Sequence, residues 1–482
     1  MTAEAPNRIG GERRPLGADT FERRNPANDD VVVSVATEAT DADVRAAVDA
    51  ATRARAAWSR TTAGARADLL EKAAGALAAR AEDVARRLTE EEGKPIGDAR
   101  NEVGRSVRNL RLFAGEALRL RGSTFPSDEP GSVVRSEHLP IGVVGVITPW
   151  NFPSSLSTRK LGPALAAGNT VVWKPSPMTP STSDLIADAF EEAGFPPGVF
   201  NVVHGFAAGA LLVADERVAG ITFTGSTRTG RAIHDALGLG RRAQLEMGGN
   251  NPVVVLADAD LDRAAEVVAR SSFSVSGQAC TGAGRILVEA SVHDELVEKV
   301  VAFASKTYVL GDGFADGVNT GPLVDRSSLE RMEAVVAEAE GRGAKAVLGG
   351  RRATDGDLAK GWFFPPTLLV DVDPRSTLAA EEVFGPVVGV ERVGSLDEAI
   401  ARANDTEYGL TAAICTRDLA SVQRFAAEVE AGLVKVNRPT IGAAFAAPFG
   451  GLKASGSGVF KEQLGPGVMD FYVQTKTVEV VA

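Results

Sequence analysis

Apolar residues recur along this chain with two different spacings. Between residues 41 and 86 they return every three or four positions, as on one face of an α-helix. Later, short β-branched and apolar runs occupy residues 142–147, 170–173, 200–203 and 220–223. Helix-start signals lie at residues 179–183 and 226–227. Strand, turn and helix in this order predict a parallel sheet covered by helices.

A second series of the same kind begins near residues 251–252. It continues with predicted strands at residues 285–288, 346–348 and 367–372, and with a predicted helix at residues 294–305. The pattern therefore predicts an α/β fold built from two sheet-containing units.

Two alternating segments belong to neither series. Residues 122–139 read as a hairpin around the turn at 126–131, and residues 468–481 alternate like a strand. Such strands could form a contact between subunits, or they could join a sheet of their own chain.

Composition limits the class of protein. The chain has 482 residues, of which 44% are hydrophobic and 24% charged, as expected for a globular protein with two or three domains. Its net charge of −11 argues against nucleic acid or an anionic membrane as a partner. Residues 1–16 lack an apolar signal-like core, and no apolar run is long enough to span a bilayer. We expect a cytoplasmic protein.

The two cysteines have different surroundings. Cys415 lies in an apolar strand-like run and is predicted to be a core residue. Cys280 lies among Gly, Gln and Thr in a small polar segment, predicted to be a flexible loop, which favours a reactive thiol. A lone thiol is more often inert, so this pattern alone leaves both possibilities open. No metal site is expected.

Two polar residues follow predicted strands in settings that suit catalysis. Asn151 lies between two prolines in residues 148–153, where a rigid amide could stabilise an oxyanion or simply form a turn. Glu246 precedes a Gly-Gly turn, where it could act as a general base or form a solvated strand end.

Two further strand ends could hold a phosphate or a ribose. Gly225 and Ser226 stand at a strand-to-helix junction, which suits either a phosphate or ordinary helix capping. Lys174 ends a predicted parallel strand, where open α/β sheets bind ligands. The dinucleotide fingerprint G-x-G-x-x-G is absent from every βα turn, so a standard Rossmann fold is not predicted.

Seven segments in this order resemble the aldehyde dehydrogenase superfamily, in its non-acylating branch, from about residue 24 to residue 481. They are PWNFP (149–153), KPS (174–176), FTGS (223–226), LEMGGN (245–250), GQAC (277–280), EEVFGP (381–386) and PFGGLK (448–453). The resemblance implies a parallel-sheet dinucleotide-binding domain, an α/β catalytic domain and a small β oligomerisation element.

The same resemblance implies boundaries and roles. Residues 1–121 and 141–247 would bind the dinucleotide, residues 248–450 would form the catalytic domain, and residues 122–140 and 465–482 would form the oligomerisation element of a homodimer or homotetramer. Cys280 would attack the aldehyde, and the Asn151 side chain would stabilise the oxyanion together with the Cys280 N–H. Glu246 would activate the water that hydrolyses the thioester.

Residues for NAD or NADP follow from the resemblance as well. They are Trp150, Lys174, Ser176, Gly225, Ser226, Glu382 and Phe384. NAD-preferring relatives usually carry a Glu three residues after the lysine, where this chain has Pro177. Without that carboxylate a 2′-phosphate is not repelled, so NADP should be tolerated and could be preferred. Alternatively, Pro177 only shapes the turn and NAD still binds well.

The substrate is indicated by fewer residues. Arg159 matches a position where semialdehyde dehydrogenases hold the substrate carboxylate, and Phe152 would line the same site. The second arginine of that pair is replaced by Ser274. The segment from residue 431 through Pro448 and the ending at residues 470–472 are similar to α-ketoglutarate semialdehyde dehydrogenases. The alternatives are a surface salt bridge for Arg159 and a neutral aldehyde as substrate.

Three other functions compete with this interpretation. A CoA-acylating aldehyde dehydrogenase would need no water-activating carboxylate, so Glu246 argues against it. A cysteine hydrolase would need a basic partner from His138, His204, His234 or His293, and none lies in a motif-like turn. A non-catalytic oligomeric protein on the same scaffold would not need Cys280, Glu246 and Asn151 together.

Overall fold

The computed structural model describes residues 2–461 and 463–481. Its α-helices span Asp41–Trp58, Ala63–Ala79, Ala81–Glu92, Ile96–Arg119, Pro153–Ala166, Pro180–Ala193, Ala208–Ala214, Thr227–Leu237, Leu261–Phe273, His293–Thr307, Arg326–Gly341, Thr377–Ala380, Leu396–Asn404 and Leu419–Glu428. Short 3₁₀ helices span Ser274–Gly277, Gly356–Lys360 and Pro466–Tyr472. Among these described residues, no helix has the length and apolar character needed to cross a membrane.

The first large sheet has seven strands and lies in the N-terminal half of the chain. Five are parallel, namely Arg242–Glu246, Val218–Thr224, Val143–Ile147, Thr170–Lys174 and Phe200–Val202 in spatial order. The antiparallel strands Arg8–Ile9 and Glu12–Arg13 complete one edge. The central strands are buried on both faces because helices pack against each side of the sheet.

The second large sheet also has seven strands. In spatial order they are Lys345–Leu348, Thr367–Val370, Val387–Val393, Ala283–Glu289, Asn251–Val255, Thr411–Cys415 and Leu433–Val436. All neighbouring pairs are parallel except the first. Cys415 is buried in the Thr411–Cys415 strand, which confirms its prediction as a core residue.

The predicted hairpin and the C-terminal strand form a third sheet. Strand Ser132–Pro140 lies between the short strand Thr124–Phe125 and strand Val473–Val481. The long antiparallel ladder pairs Val473 with Pro140 and Val481 with Ser132. The tail therefore pairs with its own chain, and the domain boundaries and the oligomerisation role stay predictions.

Two smaller sheets complete the described strands. Strands Ala3–Ala5, Asn28–Thr37 and Thr20–Asn25 form one, and the pair Tyr408–Gly409 and Leu452–Lys453 forms the other.

The predicted elements differ from the observed ones mainly at their ends. The helical region does not end at residue 86, since one helix continues to Glu92 and another runs from Ile96 to Arg119. The predicted strand 468–481 begins with a 3₁₀ helix and becomes extended only at Val473. Alternation of apolar residues continues through that helix, so periodicity alone could not locate the change.

Candidate active site

The candidate site lies where strand ends of the two large sheets face each other. Glu246, Ser226, Asn151 and Lys174 end or directly follow parallel strands of the first sheet. Cys280 comes from the second sheet's side, three residues before strand Ala283–Glu289. Ligands of open α/β sheets bind outside the carboxyl ends of strands, which is the edge that the first sheet presents here.

Two cavities meet at Cys280. One, of about 240 Å³, is lined by Cys280 and Glu246 together with Trp150, Asn151, Gly225, Ser226, Glu382 and Phe384. The other, of about 370 Å³, is lined by Cys280, Phe152, Arg159 and Ser274, among others. We call them the cofactor-side cavity and the substrate-side cavity. A thiol between two cavities can contact a different molecule on each side.

The turn before Cys280 is left-handed rather than a loose polar loop. Val275, Ser276 and Gly277 have φ of 55°, 52° and 67°. Left-handed backbone is costly for a β-branched residue such as Val275, so surrounding contacts must hold it. The Ser276 hydroxyl donates to the Gly321 carbonyl at 2.9 Å, and the Val324 N–H donates to the Gln278 side chain at 2.9 Å. The predicted flexible loop is therefore wrong, because distant segments fix this turn.

Asn151 bridges the two halves of the site. Its side-chain Nδ2 donates to the main-chain carbonyl of Gln278 at 3.0 Å, two residues before the thiol. Its own carbonyl accepts a hydrogen bond from Lys94 Nζ at 2.6 Å. The amide is thus buried and fixed beside the cysteine turn.

Glu246 is buried beneath the cofactor-side cavity. Neither of its carboxylate oxygens has a hydrogen-bond partner within 2–461 and 463–481, although the Cys280 thiol is near enough to influence its titration. Burial raises the pKa of Glu246 to about 8, and Lys160 opposes that rise. A carboxylate kept from water and without a fixed partner is free to accept a proton from a bound molecule.

The Cys280 thiol is partly exposed to the cavities. Burial, followed by the nearby carboxylates of Glu246 and Glu382, raises its pKa well above the usual range, and Arg159 opposes this. Lys160 lies near Glu246, and its ammonium donates to the Thr222 hydroxyl at 3.1 Å. Burial lowers the pKa of Lys160 to about 7.

Glycines shape the wall of the cofactor-side cavity. A Cβ on Gly225 would lie 2.5 Å from the Phe223 ring, and one on Gly248 would lie 2.0 Å from Glu382. Trp150 and Phe384 meet edge to face at 5.5 Å between ring centroids. The Ser226 side chain caps helix Thr227–Leu237, which directs the first N–H groups of that helix toward the cavity.

Lys174 and Ser176 do not line that cavity. Lys174 ends strand Thr170–Lys174, which pairs with strand Val143–Ile147 of the same sheet. The Lys174 side chain is buried, and its ammonium makes no hydrogen bond or ion pair with any described residue. Burial lowers its pKa to about 8, and the charge of Glu38 opposes this. A buried ammonium without a partner suits an anionic or hydroxylated ligand. A dinucleotide fits this arrangement of the cofactor-side cavity wall, the N-terminus of helix Thr227–Leu237 and Lys174.

The substrate-side cavity contains a buried guanidinium. Arg159 is 7% exposed and makes no hydrogen bond or ion pair with any residue that the structure describes. Its guanidinium faces the Phe449 ring, with 5.7 Å between the Cζ atom and the ring centroid. Burial and the nearby Arg105 lower the pKa of Arg159 to about 10. The predicted alternative of a surface salt bridge is wrong.

Several residues of the site were not predicted from the sequence. They are Lys94, Glu102, Arg105, Lys160, Arg270, Tyr308 and Phe449. Phe449 had a signal, since it lies in the PFGGLK turn. The others lie on helices or loops whose approach to the site depends on tertiary packing, so no local pattern marks them.

Comparison with known proteins agrees with this arrangement. A profile of the aldehyde dehydrogenase family matches residues 15–478. The chain belongs to the aldehyde dehydrogenase family. It is therefore an oxidoreductase that converts an aldehyde to a carboxylic acid with NAD or NADP, through a cysteine thiohemiacetal and thioester.

Similar proteins include other aldehyde dehydrogenases over nearly their whole length. Alpha-ketoglutaric semialdehyde dehydrogenase of Bacillus subtilis is 37% identical, over 98% of this chain and 97% of that protein. The NADP-dependent succinate-semialdehyde dehydrogenase of Escherichia coli is 41% identical, over 91% and 90%. The crystal structure of betaine aldehyde dehydrogenase from Staphylococcus aureus with NAD⁺ has a TM-score of 0.94 at 32% identity, covering 99% and 94%.

The structure bears on one competing function, the cysteine hydrolase, through the positions of the histidines. None of the four histidines lines either cavity at Cys280, as all four lie in described segments elsewhere. His204 is buried, and burial lowers its pKa to about 3, which suits a structural residue. A cysteine hydrolase with a histidine base is therefore not supported.

Proposed function

We propose that this aldehyde dehydrogenase oxidises a semialdehyde that carries a carboxylate at the end opposite its aldehyde group. The observation that carries the proposal is the buried, unpaired guanidinium of Arg159 in the cavity that contains the Cys280 thiol. An unpaired buried charge is costly, and a substrate carboxylate would supply the missing partner with charge-assisted hydrogen bonds.

The surroundings of Arg159 favour an anion as well. Arg105 and Arg270 line the same cavity, and Arg270 already pairs with Glu266 at 2.7 Å. Arg105 makes no ion pair with a described residue, so it adds positive potential near Arg159. The absence of an arginine at Ser274 is thereby offset by Arg105 from helix Ile96–Arg119. The similar enzymes named for α-ketoglutarate and succinate semialdehydes support the same substrate class.

The residues divide the reaction into two steps. The Cys280 thiolate adds to the aldehyde carbon and forms a thiohemiacetal, whose oxyanion is stabilised by the Asn151 amide and the Cys280 N–H. A dinucleotide held at its nicotinamide end by Trp150, Glu382 and Phe384 would supply the acceptor for the hydride that leaves this carbon. Glu246 then takes a proton from water, the water oxygen attacks the thioester, and Cys280 leaves as a thiolate.

The dinucleotide would be held by residues of both sheets. Lys174 and Ser176 are suited to the adenosine ribose, Gly225 and Ser226 to the pyrophosphate, and Trp150, Glu382 and Phe384 to the nicotinamide end. We propose that NADP is accepted, since position 177 carries no carboxylate that would repel a 2′-phosphate.

Two further parts of the proposal concern the whole protein. We propose a homodimer or homotetramer formed through residues 122–140 and 465–482, whose sheet exposes Phe125, Val133, Val480 and Val481. A cytoplasmic location stays a prediction from composition.

The test is the rate of NADH or NADPH formation without CoA. Succinic and α-ketoglutaric semialdehydes are compared with propanal and benzaldehyde, each with both cofactors. We expect the acid semialdehydes to have kcat/KM at least ten times higher, because charge-assisted hydrogen bonds contribute about 1.5–3 kcal/mol. A higher value for the neutral aldehydes would contradict the proposed substrate class. A requirement for CoA would indicate the acylating reaction.

A further inference from the structure

A buried ion pair lies directly behind the Asn151 turn. Lys94 occupies the short connection between helices Ala81–Glu92 and Ile96–Arg119, and Glu102 lies on the second of them. Their side chains are 1% and 2% exposed, and Lys94 Nζ is 2.6 Å from Glu102 Oε2. Lys94 Nζ also lies 3.9 Å from Oε1 of the buried Glu92. Neither residue comes from the strand ends that form the cavities.

Both members of the pair contact the segment that contains Asn151. Lys94 Nζ donates to the Asn151 carbonyl at 2.6 Å and lies 4.4 Å from the centroid of the Phe152 ring. The second oxygen of Glu102, Oε1, accepts hydrogen bonds from the N–H groups of Ser154 at 2.9 Å and Ser155 at 3.1 Å.

These contacts replace a normal helix cap. Helix Pro153–Ala166 begins after Phe152, whose side chain cannot accept a hydrogen bond from the first turn. Glu102 supplies a carboxylate at that position from another helix, and negative charge is favourable at a helix N-terminus. The start of this helix, and therefore the end of the Asn151 turn, is set by Glu102.

Asn151 is consequently held from both sides. Lys94 donates to its main-chain carbonyl from the connection between helices Ala81–Glu92 and Ile96–Arg119, while the Asn151 side-chain amide donates to the Gln278 carbonyl in the cysteine turn. A buried ion pair contributes little net stability, because desolvation offsets the attraction, but it can specify one geometry. Catalytic amides must lie close to the developing oxyanion, and a displacement of about 1 Å can cost about 100-fold in rate.

We propose that Lys94 and Glu102 are positioning residues that set the Asn151 amide for oxyanion stabilisation. Lys94 lines neither cavity. Glu102 lies in the wall of the substrate-side cavity, but both of its carboxylate oxygens are bonded within the protein, to Lys94 and to the N–H groups of Ser154 and Ser155. The effect of Lys94 on the reaction therefore passes through the segment that contains Asn151. This inference rests on the proposed role of Asn151 in thiohemiacetal formation.

A double-mutant cycle tests the inference. Lys94→Met, Asn151→Ala and the double variant are compared by the rate of the first turnover, followed as NAD(P)H formation in rapid mixing. We expect Lys94→Met to slow this step by about 10- to 100-fold alone, and by less than about 3-fold when Asn151 is already Ala. Affinity for the dinucleotide, measured by quenching of protein fluorescence, should be unchanged.

Glu91 offers a matched control. Its buried carboxylate accepts hydrogen bonds from the N–H groups of Ser181 at 2.9 Å and Thr182 at 2.8 Å, at the start of helix Pro180–Ala193. Glu91→Gln therefore weakens an equivalent helix cap without touching the Asn151 turn. Glu91→Gln should change the first-turnover rate by the same factor in the wild-type chain and in Asn151→Ala.

The outcomes separate the two proposals. Equal losses from Lys94→Met with and without the Asn151 side chain would show that the pair supports only the fold, and would overturn the inference. An unchanged first-turnover rate in Asn151→Ala would also overturn the inference. A wild-type chain that oxidises no semialdehyde would instead contradict the proposed substrate class. If Lys94→Met does not fold, Glu102→Gln replaces it in the cycle under the same criteria.

Discussion

Several titratable side chains at the site are buried, and burial shifts their pKa values. Burial raises the pKa of Glu246 to about 8, lowers that of Lys160 to about 7 and raises that of the Cys280 thiol. Each shift favours the neutral form, since charge is costly away from water. Perturbed groups that converge on one cavity are typical of a catalytic site.

The raised pKa of Glu246 predicts how turnover depends on pH. A protonated carboxyl cannot take a proton from water, so a base with a raised pKa is active only above that value. We expect steady-state kcat to rise as the pH increases through about 8, and Glu246→Gln to lose this rise together with most of the turnover. A kcat profile of the wild-type chain with its midpoint near the ordinary pKa of a glutamate would contradict this role.

Arg159 predicts discrimination between substrates. Arg159→Leu removes the buried cation, so KM for succinic semialdehyde should rise by about 10- to 100-fold, while kinetics with propanal should change by less than about 3-fold. Arg270→Leu is the matched control, because Arg270 lines the same cavity but already pairs with Glu266. Equal effects of Arg159→Leu on both aldehydes would assign Arg159 to packing.

Elements rather than single residues bring the site together. Strand ends of the first sheet supply Glu246, Ser226 and Asn151, whereas the left-handed turn at residues 275–277 presents Cys280 from the second sheet. The Gly277 position shows how closely these parts fit, since a Cβ there would lie 2.1 Å from the Gly385 carbonyl. Regular strands position one half of the site and an irregular turn positions the other.

The turn after strand Thr170–Lys174 predicts cofactor choice. Pro177→Glu places a carboxylate three residues after Lys174, where it would repel a 2′-phosphate and compete for the ammonium. We expect KM for NADP to rise at least about 10-fold, with a much smaller change for NAD, in steady-state titrations of each cofactor. Parallel changes for both cofactors would mean that Pro177 only shapes the turn.

Local sequence patterns predict the strands and helices, but not the turns that connect them at the site. The strands ending at Lys174 and Thr224 were predicted nearly to their ends, because β-branched runs bounded by turn residues mark buried strands. The left-handed backbone at Val275 was not predictable, since a β-branched residue adopts it only under tertiary constraint. Lys94 and Glu102 were missed because their contacts lie far away in sequence.

At the scale of the molecule, the site is an interface between two sheet-containing units with a third sheet outside it. Strand Val473–Val481 occupies an edge of that third sheet, which leaves one side of the strand without a described partner strand. Exposed valines on the sheet would be covered in an assembly of identical chains.

This edge predicts the effect of a charge on assembly. Val480→Glu should shift the native mass toward smaller species, whereas Leu239→Glu, at a fully exposed apolar residue elsewhere, should not. Native mass spectrometry or light scattering distinguishes the two variants. Unchanged assembly in Val480→Glu, or a chain that is monomeric from the start, would contradict a homodimer or homotetramer formed through this sheet.

The roles of Cys280 as nucleophile and Glu246 as base are tested most directly by the intact mass of Glu246→Gln after mixing with succinic semialdehyde and NADP⁺. The proposed mechanism predicts one NADPH per site and one added succinyl group, located on Cys280 by peptide mapping. The wild-type chain should show little of this adduct because its thioester is hydrolysed, and Cys280→Ala should show none. An unmodified Glu246→Gln chain that turns over at the wild-type rate, or a succinyl group on another residue, would contradict the assignment of nucleophile and base.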